Sequence, residues 1–140
     1  MVGPMSPPAA LAGLRVLDLT TLLAAPQIAA MLGDFGADVV KLEPPTGDPL
    51  RQIGVRRGEG SPAWAWVSRN KRAITLDLDL PDGQRIFQRL VDEADVLVEN
   101  LTPALRERWH CDYASLSARN PRLVVVSVSC YGQTGPLASE

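Results

Sequence analysis

Two short apolar runs with a single helical stripe between them constrain this chain more than any other feature. Val16-Leu17-Asp18-Leu19 opens the unit and Val39-Val40-Lys41-Leu42 closes it. Runs this short, the second rich in β-branched residues, suit strands of a sheet covered on both faces. The intervening PQIAAMLGDFG predicts a helix. Pro26 can take the first helical position, where its missing N–H is not needed. Ile28, Met31, Leu32 and Phe35 then fall on one apolar stripe, and Gly36 is placed to end the helix in a left-handed conformation. Strand, helix and strand in this order predict a right-handed parallel βαβ crossover. The turn Thr20 to Ala25 would lie at the carboxyl edge of the sheet, where open α/β sheets bind ligands.

The rest of the chain extends the pattern. Pro44 to Pro49 is turn chemistry. The segment from there to Ser68 reads as a long irregular loop carrying Arg51, Arg56, Arg57, Trp64 and Trp66, and loops of that length are often functional. A third strand is predicted over Ala73 to Leu78. A second helix opens at Pro81, with Ile86, Phe87, Leu90 and Val91 as its stripe and Arg85, Arg89, Asp92 and Glu93 toward water. Asp95 to Glu99 is a fourth strand, Pro103 starts a short helix through Arg108, and Tyr113 to Ala118 is another helical turn or two. Leu123 to Val128 is a fifth strand whose apolar run predicts a central, buried place. The fold class expected is α/β with a Rossmann-like, largely parallel sheet and flanking helices.

Composition excludes several classes of function. A net charge of −2 over 140 residues gives no reason to expect nucleic acid or an anionic membrane surface as partner. The longest apolar stretch, Leu22 to Leu32, is too short to span a bilayer, and residues 1–10 lack a signal-peptide pattern. They read as a flexible lead-in, with the domain over 11–140. Two cysteines, Cys111 and Cys130, suggest neither a zinc site nor a disulfide framework, so a reduced, cytoplasmic location is expected. No metal motif, P-loop, GxGxxG or GxSxG is present. Glu43, without a glycine-rich turn before it, reads as a solvated strand-end carboxylate. His110 reads as a surface or half-packed residue, and the two cysteines as ordinary small residues.

Five segments in order carry a stronger signal. LAGLRVLDLTTLLAAP, FGADVVKLEPPTGDPLR, NKRAITLDL, ADVLVENLTP and NPRLVVVSVSCYGQTGP together resemble the class III CoA-transferases, the CaiB/BaiF family, which includes formyl-CoA transferases and α-methylacyl-CoA racemases. The resemblance covers Leu11 to Pro136. It implies the amino-terminal, truncated part of the large Rossmann-like domain of a fold in which two chains interlock as a homodimer. It implies coenzyme A or acyl-CoA as substrate, a carboxylic acid as second substrate, and no metal. It places CoA contacts at Leu22, Leu76, Asn100, Leu101 and Arg108, with Arg72 of the NKR segment a candidate for phosphate or for a structural ion pair.

The family mechanism uses an Asp nucleophile on the acyl-CoA thioester, and that Asp is expected beyond residue 140, since no Asp follows Asp112. The chain therefore reads as part of something longer. Two alternatives stay open. One is a racemase of the same family; the other is a non-catalytic CoA-binding remnant. Leu101 stands where many members have an aromatic residue, and Thr102, Ala104 and Cys130 also depart from the common pattern.

Overall fold

The computed structural model describes residues 9–55 and 60–138. Most of the expected lead-in over 1–10 lies outside these residues. Five strands form one sheet in the order β3-β2-β1-β4-β5, and every neighbouring pair is parallel. The strands are β1 Arg15–Leu19, β2 Asp38–Glu43, β3 Lys71–Thr75, β4 Val96–Glu99 and β5 Val124–Ser127. The helices are α1 Ala24–Asp34, α2 Pro62–Val67, α3 Pro81–Glu93, α4 Pro103–Arg108 and α5 Tyr113–Arg119.

Alternation along the strands divides the core. Val16 of β1 and Val39 of β2 pack with Ala29 of α1 on one face. Leu17, Leu19 and Leu42 pack with Phe87 and Val91 of α3 on the other. A period of two places the two sets on opposite sides. The strand order reverses between β1 and β4, which opens the crevice where such sheets bind ligands.

Several expectations are corrected. Helix α1 begins at Ala24 rather than Pro26, with Leu23 at its cap; Pro26 still sits among the first N–H positions that lack an intrahelical partner. The buried face of α1 is Ala25, Pro26, Ala29 and Ala30, while Met31 and Phe35 are exposed. Small residues let the helix lie close to the sheet, and of the expected stripe Ile28 and Leu32 pack half-buried against the same core while Met31 and Phe35 face outward. Gly36 does adopt φ +96°, and a Cβ there would meet Cβ of Ala9 at 2.3 Å. Strand β3 starts at Lys71, so the NKR segment is mostly strand and Leu76 to Leu78 follow it. The expected loop around Trp64 and Trp66 contains α2, capped by Ser61, whose hydroxyl accepts from the Trp64 N–H at 3.3 Å. Parallel pairing of β2 and β3 requires such a crossover.

The largest correction concerns β5. It stands at the sheet edge next to β4, with Val124 56% exposed, and is neither central nor fully buried. Its apolar run has a partner on one side only among the described residues.

Glycine 83 shapes the other face. It is the third residue of α3, and a Cβ on it would meet the Asp77 carbonyl oxygen at 1.7 Å. Only a bare Cα lets α3 start against the turn that leaves β3. Helix propensity alone would favour alanine by about 1 kcal/mol, but forcing a methyl against fixed backbone typically costs about 1–3 kcal/mol, on top of the displaced turn. Gly83→Ala is therefore expected to lower the midpoint of chemical unfolding. An unchanged or higher midpoint would show that α3 does not depend on this approach.

Candidate functional site

A groove of about 490 Å³ lies across the carboxyl ends of β1, β2, β3 and β4. Its floor is apolar, from Leu19, Leu42, Leu76 and Leu78, and Leu105 and Trp109 close one side. The polar rim includes Thr20, Glu43, Asp77, Asp79 and Asn100. Among the described residues no three His, Cys, Asp or Glu side chains gather so as to hold a metal ion, and no helix is long and apolar enough to cross a membrane.

The turn after β1 is built from side chains of other elements. The Thr20 N–H donates to Asp18 Oδ1 at 3.0 Å, and the Thr20 hydroxyl donates to the same oxygen. The Thr20 carbonyl accepts from Lys41 Nζ at 2.7 Å. Asn100 pairs with Thr21 twice: its Oδ1 accepts the Thr21 N–H at 2.9 Å and its Nδ2 donates to the Thr21 carbonyl at 3.0 Å. The Leu22 N–H reaches Asp48 Oδ1 at 3.4 Å. Leu22 adopts φ +67°, a conformation that costs an L-residue with a Cβ roughly 1–2 kcal/mol. These three N–H groups are engaged within the protein, whereas a glycine-rich dinucleotide turn leaves its own free for a phosphate.

Under the turn lie buried charges. Lys41 Nζ sits 3.0 Å from Asp48 Oδ2, and Lys71 Nζ sits 2.7 Å from Asp18 Oδ2; all four side chains are 1% exposed or less. Lys71 also donates to the Pro26 carbonyl in the first turn of α1. Burial draws the Lys71 pKa down, and the Asp18 carboxylate opposes that shift. Glu43, read from sequence as solvated, is 5% exposed. Arg51 donates to both its oxygens, at 2.7 and 2.9 Å, and stacks over Trp64 at 3.6 Å from the ring centre. Burial alone would raise the Glu43 pKa, but Arg51, the Asp48 N–H and nearby Lys41 hold it below the ordinary value.

The sequence candidates separate into groups. Leu76, Asn100 and Leu101 line the groove. Leu22 stands in the adjoining turn, 43% exposed. Asn100 holds the two loops together, with its amide engaged by Thr21. Arg108 ends α4 and is not among the residues that line the groove; its Nε lies 3.1 Å from Oδ1 of Asp79, which does line it, and the same oxygen accepts the Trp109 indole N–H at 2.7 Å. Arg72 lies apart, opposite Val40 in the register, and forms a two-oxygen pair with Asp38 at 2.8 and 2.7 Å.

Sequence reasoning missed Asp79 and Trp109, whose pairing across 30 residues leaves no local signal. It also missed the partner of Glu43, although an Arg eight positions on, past a Pro-Gly turn, was a hint. Cys111 is buried, and burial with the nearby Glu99 charge pushes its thiol up to about 12, so it is not a nucleophile near neutral pH.

The model of CoA-transferase family III matches residues 11–140. The chain is 48% identical over 128 residues to the succinyl-CoA–L-malate CoA-transferase beta subunit of Chloroflexus aurantiacus, covering 90% of this chain and 32% of that protein. It is 41% identical to the acetyl-CoA:oxalate CoA-transferase of Acetobacter aceti, covering 96% and 35%. Among solved structures, a CaiB/BaiF family protein from Brucella suis superposes with a TM-score of 0.88 at 37% identity, covering 95% of this chain and 36% of that one. The chain spans about a third of the length of the curated relatives it matches.

The Glu43–Arg51 pair sets a pH dependence. A carboxylate whose folded pKa is depressed stabilises the fold above its unfolded value, here 4.5, and that contribution is lost as pH falls through the folded value. Unfolding midpoints are expected to drop between roughly pH 5 and 3. Arg51→Ala should make that drop shallower while lowering stability at pH 7. An identical pH slope in Arg51→Ala would remove Glu43 from the account.

Proposed function

Because the chain belongs to CoA-transferase family III, we propose that it supplies the CoA-binding part of an enzyme that moves CoA from an acyl-CoA to a carboxylic acid. The observation that supports this most is the groove at the carboxyl ends of β1 to β4. It combines an apolar floor with Asp79 and Trp109 on one side, and Asp79 pairs with Arg108 next to the lining. CoA offers matching chemistry: an aromatic base and a long, weakly polar arm for the floor, and phosphates for a guanidinium. Leu22, Leu76, Asn100, Leu101 and Arg108 form the proposed contact set, and Arg72 is left out because it lies away from the groove beside Asp38.

The geometry supports a division of labour. The saturated turn at Thr20–Leu22 offers shape and apolar surface. Anion recognition then rests on Arg108, whose terminal Nη groups make no hydrogen bond to the described residues while Asp79 holds the Nε side. The covalent step, attack of an Asp carboxylate on the thioester, is proposed to use a residue outside positions 1–140. Relatives named for succinyl-CoA donors make succinyl-CoA the first donor to try, with small dicarboxylic acids as acceptors. A homodimer in the cytoplasm belongs to the same proposal; sedimentation of the purified protein tests the assembly.

Arg108 gives the direct test. A hydrogen bond to a charged partner is worth about 1.5–3 kcal/mol, but Arg108 is 63% exposed and already paired with Asp79, which places the effect at the low end. Arg108→Ala should weaken CoA binding about tenfold by calorimetry, and the difference should shrink with added salt. Arg89→Ala, on the exposed face of α3, should bind like wild type. Equal affinities for wild type and Arg108→Ala, or equal losses at Arg108 and Arg89, would count against the site.

A further inference from the structure

We infer that Lys41, together with Asp48, is a positioning residue that holds the Thr20–Leu22 turn in its left-handed shape so that the Leu22 side chain meets CoA. The inference rests on the CoA reading above and adds the groups that set the turn, which touch no ligand themselves.

The starting point is a misfit. Lys41 occupies a β2 position beside Val39 and Leu42, where an apolar residue would pack well, yet its ammonium is 1% exposed. A buried ion pair is seldom more stabilising than apolar residues of the same volume. A structural role alone therefore gives weak grounds for these charges. What they do locally is specific. Lys41 Nζ binds the Thr20 carbonyl at 2.7 Å and lies 3.0 Å from Asp48 Oδ2. The other oxygen of Asp48 receives the Leu22 N–H at 3.4 Å and the Leu50 N–H at 2.8 Å. One ammonium thus fixes the carbonyl before the turn and orients the carboxylate that takes the N–H of the strained residue.

Leu22 itself points the same way. Glycine or asparagine would adopt φ +67° with little strain, yet a leucine stands there and leaves 43% of its surface open. Strain of this kind persists where surrounding groups over-determine the backbone, and it clusters at ligand sites. On the far side, Asn100 clamps Thr21 from β4. The turn is thereby held from both neighbours of β1, and its conformation does not wait for ligand.

A double-mutant cycle with CoA as the titrant tests this. The charge-neutral pair Lys41→Met with Asp48→Asn keeps an acceptor at position 48 and removes the ammonium. It should weaken CoA binding about tenfold, as a misplacement of contact atoms by a fraction of an ångström to an ångström does. Leu22→Gly should keep the wild-type melting temperature, because relief of left-handed strain offsets glycine's greater unfolded entropy, and should also weaken CoA. Combined, the paired substitution should cause no further loss in the Leu22→Gly background. A full, additive loss there would mean general damage and would overturn the assignment, as would wild-type affinity in Leu22→Gly. If the paired variant does not fold, Asp48→Asn alone takes its place in the same cycle, judged on the same criterion. A wild-type chain that binds no CoA overturns the functional reading, and this assignment with it; wild-type binding with an additive cycle overturns this assignment alone.

Discussion

The buried pairing of Lys41 with Asp48 and of Lys71 with Asp18 is the constraint on which the carboxyl edge of this sheet depends. Four charges with side-chain exposures of 1% or less must stay matched, since leaving one unpaired costs about 3–5 kcal/mol. Matching them fixes several elements at once. Lys71 ties β3 to β1 through Asp18 and to α1 through the Pro26 carbonyl. Lys41 ties β2 to the turn after β1 and to the segment that leads into the turn at Pro49–Arg51. The register of three strands and the entry of α1 are thereby coupled to one polar cluster on the face opposite α3.

That cluster changes what a familiar strand order does. The order β3-β2-β1-β4-β5 matches dinucleotide-binding sheets, in which free N–H groups of the first turn receive a pyrophosphate. Here the corresponding groups at Thr20, Thr21 and Leu22 are all engaged by protein side chains. The crevice is in the same place, but its chemistry is that of a shaped apolar floor with acidic groups at the rim, one of them paired with Arg108. On the proposed reading, similar architecture carries a different recognition surface, in keeping with the general independence of fold and site.

Acidic groups around the groove refine this picture. Glu43, Asp77 and Asp79 lie on its rim, and an anionic ligand of the proposed kind would enter past them. Glu43 is neutralised by Arg51, which Trp64 supports from behind. Asp79 is shared by Arg108 and the Trp109 indole. Glu43 and Asp79 are thus paired and Asp77 accepts the Asp79 N–H, so the rim is not a basic patch, and the proposed binding would depend on geometry more than on long-range attraction. The overall charge of −2 fits that balance.

Much of the scaffold was legible in the sequence because it is local. Apolar runs, prolines at Pro81 and Pro103 and the glycine at Gly36 mark elements within a few residues of themselves, and the order of strands and helices follows. The five ordered segments identified the family for the same reason. Tertiary structure decided the rest. The alanine face of α1 was chosen by close packing on the sheet, and of the stripe that periodicity favoured only Ile28 and Leu32 join that core. Strand β5 lies at an edge because the strand order, which no local pattern encodes, puts it there. Glu43 is buried because Arg51 can reach it, and Asn100 serves the turn because Thr21, 79 residues away in sequence, lies beside it in space. Periodicity reports which residues seek burial, whereas hydrogen bonds and ion pairs between distant strands depend on register and distance, and those exist only once the chain has folded.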